Sequence, residues 1–209
     1  MAVSRAKEVI LKKVRSALSH PAPLPFPNSE GVQSIFSPAT EDSVVVFAEE
    51  FTRLQGKFIY CADNAEMLTQ LFALFSHRSW KKIYYSDHFI INLIAKKQQN
   101  HPDLATCDVA ITGCEYLIAR TGSIVLSSSQ DHGRTASVYA PVHICIAYTD
   151  QLVYDIKQVL QLLKEKYEGN IPSSITFATG PSRTADIEKT LVVGVHGPKE
   201  VYLFLVDKA

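Results

Sequence analysis

The sequence predicts an α/β fold in which a layered, mostly parallel sheet carries helices on both faces. From residue 41 onward, short runs of β-branched and aromatic residues alternate with segments of helical periodicity, the pattern of strand–helix–strand units. Of the 209 residues, 46% are hydrophobic and 20% are charged, so the chain can bury a core without disulfides or metal ions. This length fits one domain, with or without an additional arm.

The N-terminal segment predicts an amphipathic helical arm over residues 1–20. Apolar residues recur at spacings of three and four between residues 3 and 18, and basic residues occupy the opposite side. Residues 21–40 predict a linker, because its prolines between 21 and 27 impose an extended conformation. Such an arm either folds back on its own domain or packs on a second copy, so a homodimer is one expectation.

Residues 41–209 predict the main domain. We expect strands at residues 57–61, 82–85, 108–112, 123–127, 142–148, 174–179 and 200–206. We expect helices at residues 41–54, 64–75, 88–97, 150–167 and 184–193. Strand-like segments follow one another closely between residues 107 and 148, so a mixed sheet or a projecting hairpin is expected there.

Charge and cysteine content argue against several classes of function. The 21 basic and 21 acidic residues balance, so the basic face typical of nucleic-acid binding is not expected. The four cysteines form no Cys-x-x-Cys pair, which argues against a zinc ribbon or an iron–sulfur loop and favours buried thiols in a reducing compartment. The sequence contains neither a signal peptide nor an apolar run long enough for a membrane span, so a cytoplasmic protein is expected.

Several well-known catalytic motifs are absent from the sequence. It contains neither Gly-x-Gly-x-x-Gly nor the P-loop pattern, and neither Gly-x-Ser-x-Gly nor His-Glu-x-x-His. We therefore expect no resident cofactor and no metal site.

The most informative loop is the one that follows the predicted strand at 174–179, because ligands of open α/β sheets bind beyond the carboxyl ends of strands. Gly180 permits a tight turn, Ser182 or Thr184 can cap a helix, and Arg183 supplies a cation, so a phosphate or carboxylate is expected there. The alternative is purely structural, with caps and an ion pair, and an acid in the first turn favours it. The candidate residues are Gly180, Pro181, Ser182, Arg183, Thr184 and Asp186.

A second candidate loop follows the predicted strand at 108–112. Gly113 and Gly122 allow close backbone approach, and Thr121 stands beside the second glycine. Glu115 is a candidate acid, base or hydrogen-bond acceptor, although a single glutamate of this kind is also common as a structural residue.

A third candidate is the polar turn that contains His132, Gly133 and Arg134, whose side chains could meet the same crevice. His143, inside an apolar strand, and His196, between glycines, are candidate ligand contacts, or else histidines satisfied by a single hydrogen bond.

Longer motifs in these segments resemble one known family. They are Ile111-Thr-Gly-Cys-Glu-Tyr116, Thr121-Gly-Ser123, Gly133-Arg134, Pro141-Val-His143, Thr179-Gly-Pro-Ser-Arg-Thr-Ala-Asp-Ile-Glu188 and Gly194-Val-His-Gly-Pro198. Together they resemble the lactate utilisation protein C family, whose members carry a LUD domain. The similarity extends from about residue 107 to residue 207 and more weakly back to residue 41.

The resemblance implies a fold similar to those of sugar-phosphate isomerases, CoA transferases and formyltetrahydrofolate cyclo-ligase. It implies a bacterial, cytoplasmic role in the oxidation of L-lactate to pyruvate, together with partner proteins that bind iron–sulfur clusters. Because this sequence lacks a cysteine cluster and a flavin or nicotinamide loop, an accessory subunit that binds an anionic small molecule is expected.

Two alternatives to this role remain open. One is a free-standing enzyme similar to the isomerases, CoA transferases or cyclo-ligases, acting on a phosphorylated or carboxylate metabolite, with Glu115 as base or nucleophile. The other is an interaction module whose loops hold a partner protein. One departure from the family pattern bears on the choice, because this chain has Arg120 where relatives often carry an acid.

Overall fold

The computed structural model describes residues 5–19, 41–184 and 190–208. The chain divides into two units, residues 1–38 and 39–209. In the first unit, helix α1 (Arg5–Leu18) confirms the predicted helix. The proposed linker, residues 21–40, lies outside the described residues, so this division into arm and linker stays a prediction.

The second unit is an α/β assembly, as the sequence predicts. Its strands are β1 (Lys57–Cys61), β2 (Ile83–Tyr85), β3 (Val109–Thr112), β4 (Tyr116–Ile118), β5 (Ser123–Ser127), β6 (Val142–Tyr148), β7 (Leu152–Val153), β8 (Ile175–Ala178), β9 (Arg183–Thr184), β10 (Val192–Val193) and β11 (Glu200–Val206). Its helices are α2 (Ser43–Arg53), α3 (Asn64–Arg78), α4 (His88–Ile94), α5 (Ala136–Tyr139) and α6 (Ile156–Lys166).

The centre of this unit is a five-stranded sheet in the order β1-β11-β6-β3-β2, and all its strand pairs are parallel. Strands β6 and β11 pair along their whole length and are almost entirely buried, because apolar side chains point to both faces. Helices α3 and α4 cover one face with residues such as Met67, Leu71 and Ile90. Phe47 and Phe51 of helix α2 help to cover the other face.

A second, four-stranded sheet in the order β7-β4-β5-β8 shares that other face with α2. Strands β4 and β5 form an antiparallel pair, which confirms the hairpin expected within residues 107–148. Helix α6 packs Val159 and Leu163 against Ile118 and Val125 of this small sheet. The helix begins at Ile156, later than predicted, because the residues before it form a 3-10 turn and strand β7.

The prediction of a helix at residues 184–193 is wrong, because both ends of this range are extended. Strand β9 and strand β10 form a short antiparallel ribbon instead, in which Thr184 pairs with Val192. The backbone of Ser182 is already bonded to the segment at 194–198, so the chain leaves the loop as an extended strand. Residues 185–189, which include Asp186, lie outside the described residues.

The four thiols are free and buried, as expected from the sequence. Burial raises the pKa of Cys61 and Cys107 to about 11 in each case. In the part of the chain that the structure describes, no helix combines the length and the apolar character that a membrane span requires.

The burial of the thiols leads to a first prediction. We expect the native protein to react with Ellman's reagent at pH 8 far more slowly than the denatured protein, because the reactive thiolate is disfavoured and inaccessible. The absorbance of the released chromophore measures the reaction, and guanidinium-unfolded protein provides the full signal. Rapid titration of any thiol in the folded protein would contradict this expectation.

A second prediction concerns the contact between the small sheet and helix α2. Gly122 has a φ of 58°, and a Cβ added there would lie 2.5 Å from the Phe51 backbone nitrogen. Gly169 also has a positive φ, 81°, but no atom lies within 4 Å of its added Cβ. We expect Gly169→Ala to lower the free energy of unfolding by about 1 to 2 kcal/mol. Gly122→Ala should cost about 1 to 3 kcal/mol more, because the backbones must separate.

Urea denaturation of the two variants measures this difference, and Gly169→Ala is the control for conformational strain. Equal losses of stability in the two variants would show that the close approach at Gly122 contributes nothing.

Candidate functional site

The two longest motifs, residues 179–188 and 194–198, are joined by backbone hydrogen bonds. The Ser182 amide donates to the Pro198 carbonyl at 2.9 Å, and the Gly194 amide donates to the Ser182 carbonyl at 2.9 Å. Glycine at position 197 permits this approach, because a Cβ there would lie 2.8 Å from the Ser182 Cβ. The fold therefore brings together two segments that are separate in the sequence.

A cavity of about 250 Å³, here called the motif cavity, lies between these segments and the start of strand β6. Five of the predicted ligand-binding residues line it, namely Gly180, Pro181, Ser182, His143 and His196. Ser137, Thr176 and Thr179 add hydroxyl groups to the lining. The lining of the cavity is thus mostly apolar and contains several neutral hydrogen-bonding groups.

His143 forms a buried part of the cavity wall. It is the second residue of β6, and its Nε2 lies 2.8 Å from the Oγ1 of Thr112 on the adjacent strand β3. Burial, together with the charge of nearby His132, lowers the pKa of His143 to about 3. The imidazole is therefore neutral at physiological pH and offers hydrogen bonding instead of positive charge.

The Thr-Gly-Ser motif reaches the same cavity indirectly. The Thr121 hydroxyl lies 2.7 Å from the Ser123 hydroxyl, which lies 3.0 Å from the Thr179 hydroxyl in the cavity wall. Gly122 packs against the backbone of helix α2 instead. Thr121 and Ser123 therefore support the cavity wall through Thr179, which itself lines the cavity.

The cation expected at the 180–184 loop is engaged elsewhere. The Arg183 guanidinium donates a hydrogen bond to the Leu54 carbonyl. Thr184 is part of the β9–β10 ribbon, so no helix begins at this residue. The expected anion site depended on such a helix N-terminus. The ligand-binding role of Arg183 and Thr184 stays a prediction, and that of Asp186 falls outside the described residues.

Arg120, the departure from the family pattern, forms an ion pair within the protein. Its Nε donates to the Asp155 Oδ2 at 2.8 Å, and Asp155 is the N-cap of helix α6. The charge at this position is therefore compensated locally, and it links the turn before β5 to the helix that covers the small sheet.

The third candidate turn contributes a buried histidine. Gly133 has a φ of 62° in open space, and the Arg134 guanidinium donates to the Ser173 hydroxyl. His132 points inward, where its Nδ1 lies 3.0 Å from the Oδ1 of Asp87. Both side chains are nearly or fully buried, at 0% and 5% exposure.

Asp87 is a residue that the sequence analysis missed. It is the N-cap of α4, but its side chain makes no cap hydrogen bond and instead accepts one from the Gly113 amide at 2.6 Å. The carboxylate thus connects the loop after β3 with the turn that contains His132. An Asp before a helix predicts only a cap, so no signal in the sequence pointed to this role.

Glu115 lies in a different and larger cavity, of about 630 Å³, which we call the carboxyl-edge cavity. Its carboxylate is fully buried and accepts hydrogen bonds from the Ser127 hydroxyl at 2.5 Å and the Tyr167 hydroxyl at 2.6 Å. The Lys166 ammonium lies 2.6 Å from its other oxygen. The structure therefore separates Glu115 and Gly113 from the residues of the motif cavity.

The environment of Glu115 favours the charged form. Burial alone would raise the pKa of this carboxyl group, but the hydrogen bonds from Lys166, Ser127 and Tyr167 outweigh it, and the pKa lies below its ordinary value. A carboxylate that accepts three such bonds has little basicity left, so this arrangement does not favour a general base. Among the described residues, no three His, Cys, Asp or Glu side chains gather into a metal-binding group.

The comparisons with known proteins agree with this fold and these motifs. The LUD domain matches residues 77–206. A lactate utilization protein C from Bacillus licheniformis is 40% identical over 104 residues, which are 48% of this chain and 43% of that protein. The protein of the same name from Bacillus subtilis is 36% identical over 116 residues, 54% of this chain and 48% of that protein. The chain thus spans about half the length of the curated relatives it matches.

A solved structure shows the same fold at lower sequence identity. The crystal structure of a DUF162 family protein from Deinococcus radiodurans has a TM-score of 0.58 and 19% identity, and covers 78% of this chain and 96% of that chain. The specific similarity to sugar-phosphate isomerases and CoA transferases stays a prediction. The family resemblance seen in the motifs is confirmed, because the matched region covers most of the second unit: the chain belongs to the LUD domain family.

Proposed function

We propose that this protein is an accessory component of L-lactate oxidation to pyruvate and binds a small anionic metabolite in the motif cavity. The observation that carries this proposal is the convergence of the two long motifs and His143 on one cavity. The names of the relatives from Bacillus licheniformis and Bacillus subtilis support the link to lactate.

The chemistry of the cavity suits a short hydroxy or keto acid. Hydroxyl groups of Thr179 and Ser182 and the neutral imidazole of His143 can hydrogen-bond a carboxylate and an adjacent oxygen. Lys199 lines a neighbouring cavity that shares Val138, His196 and Gly197 with the motif cavity, and so supplies a positive charge nearby. A volume of about 250 Å³ is sufficient for a molecule the size of lactate or pyruvate.

The oxidation itself requires an electron carrier, which we assign to partner proteins. The sequence has no Cys-x-x-Cys pair and no phosphate-binding loop for flavin or nicotinamide nucleotides. We therefore propose that iron–sulfur partner proteins accept the electrons and that this protein acts beside them in the cytoplasm. A homodimer formed through α1 belongs to the same proposal, and gel filtration of the protein with and without residues 1–27 tests it.

A binding measurement tests the role of the motif cavity. We expect L-lactate and pyruvate to raise the melting temperature by about 5 to 10 °C at about 100 times Kd, and neutral lactamide to have no effect. The double variant Thr179→Val/Ser182→Ala should lose this shift, because both hydroxyl donors are removed. Thr69→Val, on the exposed surface of α3, is the matched control and should keep it. An unchanged shift in the double variant would exclude the motif cavity as the site.

An activity measurement distinguishes the accessory role from the free-standing enzyme. We expect the purified protein alone not to reduce a dye with L-lactate as the donor, whereas an extract of the native host does so only when this protein is present. The Thr179→Val/Ser182→Ala variant should fail to restore activity to a deletion extract. Turnover by the purified protein alone, lost in Glu115→Gln, would instead establish the enzyme alternative.

A further inference from the structure

The carboxyl-edge cavity is the larger of the two cavities and is distinct from the motif cavity. It is lined by Asp87, Glu115, Asp131, Asp150, Lys166 and Lys208, among others, and none of its lining residues lines the motif cavity. Asp87 follows β2, Glu115 follows β3, Asp150 follows β6 and Lys208 follows β11. The cavity thus lies where parallel α/β sheets bind their ligands, at the carboxyl ends of the strands.

One ammonium group in this cavity is held in place by an unusually buried partner. The Glu115 side chain is 0% exposed, whereas Lys166, the last residue of α6, is 52% exposed and lines the cavity. Burying a carboxylate costs free energy unless it is well bonded. The Glu115 oxygen that does not contact Lys166 accepts hydrogen bonds from Ser127 and Tyr167. The consequence of this arrangement is a lysine ammonium with a fixed position at the cavity wall.

Glu115 also keeps that lysine charged. Partial burial alone would lower the pKa of Lys166, but the hydrogen bond and the charge of Glu115 raise it above its ordinary value. A lysine with a raised pKa serves as a cation and not as a nucleophilic amine. Glu115 is therefore a positioning residue for Lys166.

The remaining charged groups of the cavity disfavour ligands with several negative charges. The described lining contains four carboxylates and two lysines, so electrostatic repulsion grows with each negative charge that a ligand carries. Asp131 pairs with His88 and Asp150 with Lys208, and both carboxylates are about half exposed, at 48% and 50%, so each keeps acceptor capacity for the hydroxyl groups of a ligand. Phe89, Tyr148 and Tyr167 provide apolar surface for the carbon skeleton.

We propose that the carboxyl-edge cavity is a second binding site, in which Lys166 binds the carboxylate of a hydroxylated monocarboxylate and the aspartates bind its hydroxyl groups. A volume of about 630 Å³ accommodates a sugar acid, which is larger than the metabolite assigned to the motif cavity. This inference does not rest on the proposed function, because the two sites have separate linings.

Isothermal titration of the full chain with D-gluconate tests the site. We expect saturable binding of gluconate, and no comparable binding of sorbitol, which has no charge, or of citrate, which has three. Glu115→Gln/Lys166→Met should weaken gluconate binding by about 10- to 100-fold, because a charged hydrogen bond is lost. The double variant removes both charges together, so no unpaired carboxylate is left inside the protein, and thermal unfolding verifies its fold.

Two controls separate this site from the motif cavity and from general destabilisation. Lys164→Met changes an exposed lysine of the same helix that does not line the cavity and should leave gluconate binding intact. Thr179→Val/Ser182→Ala should also leave it intact. Glu115→Gln alone should weaken gluconate binding and leave the lactate-induced melting shift unchanged. A general loss of stability would instead affect both measurements.

Three results would overturn the second site. They are an absence of gluconate binding to the wild-type protein, equal affinity in the Glu115→Gln/Lys166→Met variant, and binding of sorbitol or citrate as tight as that of gluconate. If the wild-type protein binds gluconate but shows no melting shift with L-lactate or pyruvate, that result counts against the proposed function alone.

Discussion

The burial of the parallel sheet on both faces is the constraint on which the rest of the structure depends. Strands β6 and β11 expose almost no side chain, so each face has to be covered along its length. Helices α3 and α4 cover one face, and α2 with the small sheet covers the other. Polar groups therefore gather at the two ends of the strands, and this is where both cavities lie. Inside the sheet, the Thr112 hydroxyl and the Nε2 of His143 form a hydrogen bond at 2.8 Å.

The same constraint explains which elements could be predicted from the sequence. Strands β1, β5, β6 and β11 have the predicted bounds, because uninterrupted apolar runs define them. Strands β4 and β7 are too short, at three and two residues, to show any periodicity, and the sequence does not predict them. The helix at 184–193 was wrong because Gly180, Ser182 and Thr184 suit a tight turn as well as a helix start. The hydrogen bonds of Ser182 with Gly194 and Pro198 favour the turn, and these partners lie too far along the chain for a local pattern to reveal them.

Of the candidate site, the sequence analysis named five residues that line the motif cavity but not their arrangement. Gly180, Ser182 and His196 were identified from motifs, and the fold brings them together. Lys166 could not be predicted, because it differs from Lys164 on the same helix only by its contact with Glu115, a residue far away in the chain. Glu115 is a candidate residue from its motif alone, but its three hydrogen-bond donors come from β5 and the end of α6, which only the tertiary structure reveals.

Helix α6 is held by an ion pair at each of its ends. At its first turn, the N-cap Asp155 pairs with Arg120. At its last turn, Lys166 pairs with Glu115. Glu115 lies just before strand β4 and Arg120 shortly after it, so the two ion pairs hold helix α6 near the two ends of this strand. Positive charge at 120 is stabilising only because Asp155 faces it, and an acid there would repel that cap. The Arg120–Asp155 pair and the Lys166–Glu115 pair therefore act on the same helix, and the position of α6 sets the position of the Lys166 ammonium.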